Sequence, residues 1–218
     1  MQSDRTMQLI FVDGVGGRNY MRKPLVRFFE RQGYSVACFD YRAASEPLEH
    51  IKRRLLDALA EMSARGPYVA IGYSFGGVLL RMVLAGNAGS IPNPMRIVLL
   101  ASPVKGMRLA KALKSWKLYR FLTGEAGQLT ASDSQMLAVP WPEVPVACVY
   151  GVWPWLGVLG FLAGFRAAHD GMLTAGEATS SLAAASIAVS ASHGFIPQNG
   201  AALSAASMWL AKGESGSA

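Results

Sequence analysis

Ser74 lies in the stretch Gly72-Tyr73-Ser74-Phe75-Gly76, a GxSxG pentapeptide between the apolar run Tyr68 to Tyr73 and a helix-compatible segment that begins at Phe75. A serine hydroxyl is a weak nucleophile until a base takes its proton, so the spacing matters only if it exposes Oγ to such a base. A sharp strand-to-helix turn does this, and glycines two residues to either side of the serine let the two elements approach closely. The helix start also aims the backbone N–H of Phe75 at the place where an oxyanion would form. An ordinary Gly-rich turn carries the same short pattern, so the reading depends on what the rest of the chain supplies.

The chain has three histidines. His193, in Ser-Ala-Ser-His-Gly-Phe-Ile, directly follows the last strand-like run, where a loop can bring the imidazole over the sheet as general base. His50 falls near the start of a helical segment and reads as solvated surface, while His169 reads as a loop residue or a substrate contact. Asp170, in His-Asp-Gly-Met-Leu-Thr, follows the run Val144 to Tyr150 and precedes His193, giving the order Ser, Asp, His. A carboxylate there would orient the imidazole and stabilise its charged form. Asp before Gly is also a common turn pair, and Asp133 is the reserve candidate. A second oxyanion donor is expected from the loop Asp13 to Asn19, with the backbone N–H of Val15 as the choice. That loop lacks GxxxxGK[ST] and does not fit GxGxxG, so it reads neither as a phosphate loop nor as a dinucleotide fingerprint. No cofactor and no metal are expected.

These residues need a scaffold that collects them at one end. Continuous apolar runs recur at Met7 to Asp13, Tyr34 to Asp40, Tyr68 to Tyr73, Arg96 to Ala101, Val144 to Tyr150 and Ala185 to Ala191. Continuous rather than alternating apolarity marks strands covered on both faces. Helix-compatible segments separate them at Tyr20 to Gln32, Glu46 to Arg65, Phe75 to Ala88, Arg108 to Leu122 and Ala201 to Lys212. The alternation predicts an α/β fold with a doubly wound, mostly parallel sheet of about six strands and helices on both faces. In such sheets chemistry collects at the carboxyl ends of the strands, where Ser74, Asp170 and His193 all fall. A single domain over residues 1–218 is expected, with a small lid or insertion within 103–143, an irregular stretch from Gly124 to Pro142, and a flexible tail from 212.

With 51% hydrophobic and 16% charged residues, the chain can bury a large core, which excludes general disorder. The net charge of +7 admits a nucleic-acid, anionic-membrane or simply basic surface. Lys105, Arg108, Lys111, Lys114, Lys117 and Arg120 recur every third residue, a step that drifts around a helix turning about 100° per residue. They therefore encircle a helix whose apolar seam, Leu109, Ala112, Leu113 and Trp116, is expected to dock on the core. Nucleic acid is not expected as a partner; a weak membrane-surface contact is kept open. Cys38 and Cys148 sit in apolar runs and read as buried, reduced thiols. No secretory signal is recognised, which points to a cytoplasmic location. Trp153 to Phe165 is apolar, short for a membrane span and broken by Pro and Gly.

In its ordered motifs the chain resembles the α/β-hydrolase superfamily, and within it the small bacterial esterase/lipase-like members. The likeness runs from Leu9-Ile10-Phe11-Val12-Asp13-Gly14 through Gly72 to Arg81, Ile97 to Gly106 and the stretches around Asp170 and His193. It implies a minimal α/β-hydrolase fold with Ser74 as nucleophile, Asp170 as acid, His193 as base, and Val15 and Phe75 as oxyanion donors. The implied activity is carboxylic-ester hydrolysis through an acyl-enzyme, with acyl transfer or thioesterase action as the alternative and a non-catalytic binding role after those. Trp153, Trp155 and Leu156 would wall a lipophilic acyl site, or else simply pack into the core. Asp13-Gly14 stands where these hydrolases usually carry His-Gly; a carboxylate there would oppose an anionic intermediate if it faced the site.

Overall fold

The six apolar runs lie side by side in one sheet. The computed structural model describes residues 6–17, 19–87, 89–154 and 163–212. Its strands are β1 (Gln8–Val12), β2 (Ser35–Phe39), β3 (Tyr68–Tyr73), β4 (Ile97–Leu100), β5 (Val146–Gly151) and β6 (Ala185–Val189). They are arranged in the order β2-β1-β3-β4-β5-β6. Every neighbouring pair is parallel, where the sequence predicted a mostly parallel sheet.

Side-chain alternation sorts the core into two layers. Leu9 and Phe11 of β1 face α1 (Asn19–Glu30) and the C-terminal helix, which presents Leu203 and Trp209 alongside Leu25 and Phe29 of α1. Ile10 and Val12 face the opposite way, toward α2 (Leu48–Arg65) and α3 (Phe75–Gly86). In α2 the buried residues Ile51, Leu55, Leu59 and Met62 recur at one-turn spacing, the stripe an amphipathic helix needs to lie on a sheet. β3 is buried along its whole length, as a central strand covered on both faces must be.

Three expectations are corrected. Cys38 is exposed because β2 is an edge strand, whereas Cys148 on β5 is buried as expected. The segment Arg108 to Leu122 is not one helix: α4 (Arg108–Leu113) ends before α5 (Lys117–Thr130) begins. The break turns the expected seam outward, so Leu109 is buried but Ala112 and Trp116 are exposed. Finally, Gly124 to Pro142 is largely helical, continuing α5 to Thr130 and adding α6 (Asp133–Ala138). α5 kinks at Gly124, whose φ is 54°; a side chain there would also run into the Ala43 carbonyl.

A second backbone-limited position lies where α3 meets the end of β1. A β-carbon at Gly76 would sit 2.3 Å from the Val12 carbonyl oxygen and 2.4 Å from that of Asp13, both backbone atoms with no freedom to retreat. Gly76→Ala is expected to lower stability by about 3 kcal/mol, the upper end of overpacking costs. Gly86→Ala is the control, because nothing lies within 4 Å of a β-carbon at that position. Urea denaturation should show a clear fall in midpoint for the first and an unchanged or raised midpoint for the second.

Candidate active site

Ser74 occupies the junction of β3 and α3 with φ 50° and ψ −125°, a conformation outside the ordinary regions for a side-chain-bearing residue. Such geometry costs on the order of 1–3 kcal/mol and persists only where its surroundings impose it. Two hydrogen bonds help to do so: the Ser74 N–H donates to the Leu100 carbonyl at 2.9 Å, and the Ser74 carbonyl accepts from the Gly77 N–H at 3.1 Å. Phe75 then begins α3, so its N–H is among those that a helix start leaves without an intrahelical acceptor.

The structure brings Asp170 and His193 to this turn. His193 Nε2 is 3.0 Å from Ser74 Oγ, and His193 Nδ1 is 2.8 Å from Asp170 Oδ2. With a carboxylate facing Nδ1, that nitrogen carries the proton and Nε2 offers its lone pair to the serine hydroxyl. Asp170 is itself fixed: its Oδ1 accepts the backbone N–H groups of Met172 and Leu173 at 2.9 and 2.7 Å. A backbone bond from His193 N–H to the Asp170 carbonyl, 2.9 Å, couples the two residues a second time. The Tyr73 hydroxyl donates to the His193 carbonyl at 2.9 Å, linking the histidine to the residue beside Ser74. Burial, reinforced by the carboxylates of Asp170 and Asp13, pushes the Tyr73 phenol well up, so it remains a donor.

The other candidates fall elsewhere. Asp133 begins α6 and pairs with Lys111 at 2.6 Å, His50 is exposed on α2, and the His169 ring packs on Phe165. Trp153 is exposed, while Trp155 and Leu156 lie outside the described residues. Among the described residues no group of three or more His, Cys, Asp or Glu is placed to hold a metal ion.

Asp13 does not line the cavity at Ser74. Its carboxylate pairs with Arg22 of α1 at 2.9 Å, and Arg22 also reaches Asp40 at 3.1 Å. A β-carbon at Gly17 would meet the Asp13 carboxyl at 2.3 Å, so the loop after β1 wraps around that group. A buried carboxylate with a cationic partner thus sits under the loop whose Val15 borders the cavity at Ser74. The expected opposition to an anionic intermediate does not arise from a carboxylate pointing into the site. Burial nonetheless outweighs Arg22 and leaves the Asp13 pKa above the ordinary carboxyl value.

Ser74, Phe75, Val15 and His193 open onto a cavity of about 310 Å³. Its walls include Met107, Met172 and one face of α5: Tyr119, Thr123, Ala126, Gly127 and Thr130. These lining residues escaped sequence reading except as part of a suspected lid region; the 119, 123, 126, 127, 130 spacing was the available signal. A larger groove of about 920 Å³ lies along the opposite face of α5, beside Arg120, Phe121, Glu125 and Gln128. It is lined by neither Ser74 nor a histidine.

No family model and no curated protein sequence matches the chain. Solved structures do. The mature lipase BlEst2 of Bacillus licheniformis is 18% identical with a TM-score of 0.72, over 95% of this chain and 93% of that one. An α/β-hydrolase enzyme from a sediment metagenome of the Mar Chica lagoon, Morocco, is 12% identical with a TM-score of 0.59, over 95% and 92% of the two chains. Human thioesterase 2 is 13% identical with a TM-score of 0.57, over 98% of each chain. At these identities the likeness is one of fold, and the fold is that of the α/β hydrolases.

The raised pKa of Asp13 has a readable sign. The native carboxyl keeps its proton at a pH where the unfolded one has lost it, so the Asp13 contribution is most favourable in acid and declines as pH rises through the native value. Asp13→Asn should remove this decline: from about pH 4 to pH 7 the variant should gain stability relative to the wild type. Urea midpoints of both proteins across that range provide the check.

Proposed function

We propose that the protein is a serine hydrolase that cleaves carboxylic esters with lipophilic, short to medium acyl groups. The observation that supports this most directly is the continuous chain from Ser74 Oγ through His193 to Asp170, with separations of 3.0 and 2.8 Å, at a cavity walled largely by apolar side chains. As Ser74 Oγ attacks the ester carbonyl, His193 Nε2 takes its proton, and Asp170 stabilises the imidazolium. The backbone N–H groups of Phe75 and Val15 are assigned to the developing oxyanion. His193 then protonates the departing alcohol, and water enters by the reverse sequence to release the acid from the acyl-enzyme.

Thioester cleavage or acyl transfer would use the same three side chains, and the fold shared with a thioesterase keeps this as the second reading. The readings divide on the leaving group and on whether water or another acceptor meets the acyl-enzyme. Product analysis with an added alcohol separates them: a purely hydrolytic pattern on esters favours the first.

A series of p-nitrophenyl esters of increasing chain length tests the proposal. Ser74→Ala and Asp170→Asn should each lower kcat by about a thousandfold or more. A fluorophosphonate should label the wild type and not Ser74→Ala. Wild-type inactivity on all esters together with failure to label would refute the reading. Ala126→Phe, which places a ring in the cavity, should lower kcat/KM for the longer esters at least about tenfold more than for the acetate.

A further inference from the structure

Ten large apolar side chains are exposed among the described residues, and four of them, Trp116, Leu118, Phe121 and Leu122, fall within seven consecutive positions. The break between α4 and α5 that overturns the expected core seam creates this cluster. Leu118, Phe121 and Leu122 stand at i, i+3 and i+4 on α5 and so form one patch, with Trp116 at the helix N-cap. Isolated exposed apolar residues are ordinary, but a contiguous group of this kind marks an interaction surface.

From Lys114 to Arg120 the charges beside the patch are all positive, and Glu125, one turn further on, accepts the Leu48 N–H at 3.5 Å. Lys114, Lys117 and Arg120 are exposed, and none takes part in an ion pair among the described residues. The sequence places no Asp or Glu anywhere between Glu61 and Glu125. Aromatic and aliphatic side chains interleaved with cations on a helix that is not itself buried are the composition of a surface that lies in a lipid interface. Among the described residues no helix is long and apolar enough to cross a membrane, so the contact would be peripheral.

We infer that the α4–α5 junction and the first turns of α5, from Lys114 to Leu122, dock the protein on an anionic lipid surface. The cations draw it to the headgroups, and Trp116, Leu118, Phe121 and Leu122 enter the acyl boundary. Charge complementarity selects this occupant over a second copy of the chain, which would bring two positive patches together. The docking face and the cavity wall are different sides of the same helix, since Tyr119, Thr123, Ala126 and Gly127 face Ser74. Binding to vesicles is read without any catalytic step, so this inference and the proposed hydrolysis fail independently.

Flotation of the full chain with phosphatidylcholine vesicles, with and without phosphatidylglycerol, is the experiment. The wild type should float with the phosphatidylglycerol vesicles, remain behind with pure phosphatidylcholine, and be released in part by raised salt. Lys114→Glu with Lys117→Glu should weaken partitioning at least about tenfold. Leu118→Ser with Leu122→Ser should abolish the part that survives high salt. Both double variants should keep the wild-type urea-unfolding midpoint, which shows that they fold. Failure of the wild type to bind phosphatidylglycerol vesicles overturns the inference. So does equal binding by the variants, or a wild-type dimer in sedimentation that Leu118→Ser with Leu122→Ser dissociates.

Discussion

The positive φ of Ser74 is the constraint on which the site depends. A side-chain-bearing residue avoids that conformation, and here it is imposed by the direct passage of β3 into α3 with no intervening loop. Close approach of β3 and α3 needs Gly72, whose β-carbon would sit 2.4 Å from the Gly77 Cα, while Gly76 lets α3 meet the backbone at the end of β1. The β1 strand, packed on both faces, supplies the rigid surface against which the turn is pressed. The same turn fixes the two residues that flank the serine: Tyr73, whose hydroxyl donates to the His193 carbonyl, and Phe75, which begins α3. Core burial and site geometry are therefore not separable: the energy that holds Ser74 in place comes from the packing of the sheet.

Much of this was legible without coordinates. The strands could be read because each is a short, continuous apolar run, a pattern that a doubly covered parallel strand produces and few other elements do. Ser74, Asp170 and His193 could be read because each follows such a run, and the carboxyl ends of parallel strands share one edge. The failures have equally physical sources. Cys38 looked buried because composition does not distinguish an edge strand from a central one. The segment from Arg108 to Leu122 looked continuous because helix-forming residues run through Ser115 and Trp116, while the break depends on tertiary packing. The cavity wall in α5 left only its helical spacing in the sequence, because which face of an amphipathic helix meets a cavity is decided by its neighbours.

Asp13 illustrates how a departure from a familiar pattern is absorbed. A carboxylate beside the loop after β1 would be harmful if it faced the reacting carbonyl, and the fold turns it instead toward Arg22 and closes the loop around it. Arg22 in turn holds Asp40, so the ends of β1 and β2 are joined through one guanidinium on α1. Asp13 thus holds the loop through an ion pair whose desolvation is only partly offset, which raises the Asp13 pKa.

The two-sided role of α5 has an evolutionary consequence. Residues 119, 123, 126, 127 and 130 border the Ser74 cavity, whereas 120, 121, 124, 125, 128 and 129 border the groove behind it. Substitutions on one face can accumulate without disturbing the other, so pocket shape and outer surface are free to diverge separately. Insertion of a single residue would rotate everything beyond it by about 100° and exchange the two linings. This helix can therefore drift in composition far more readily than in length.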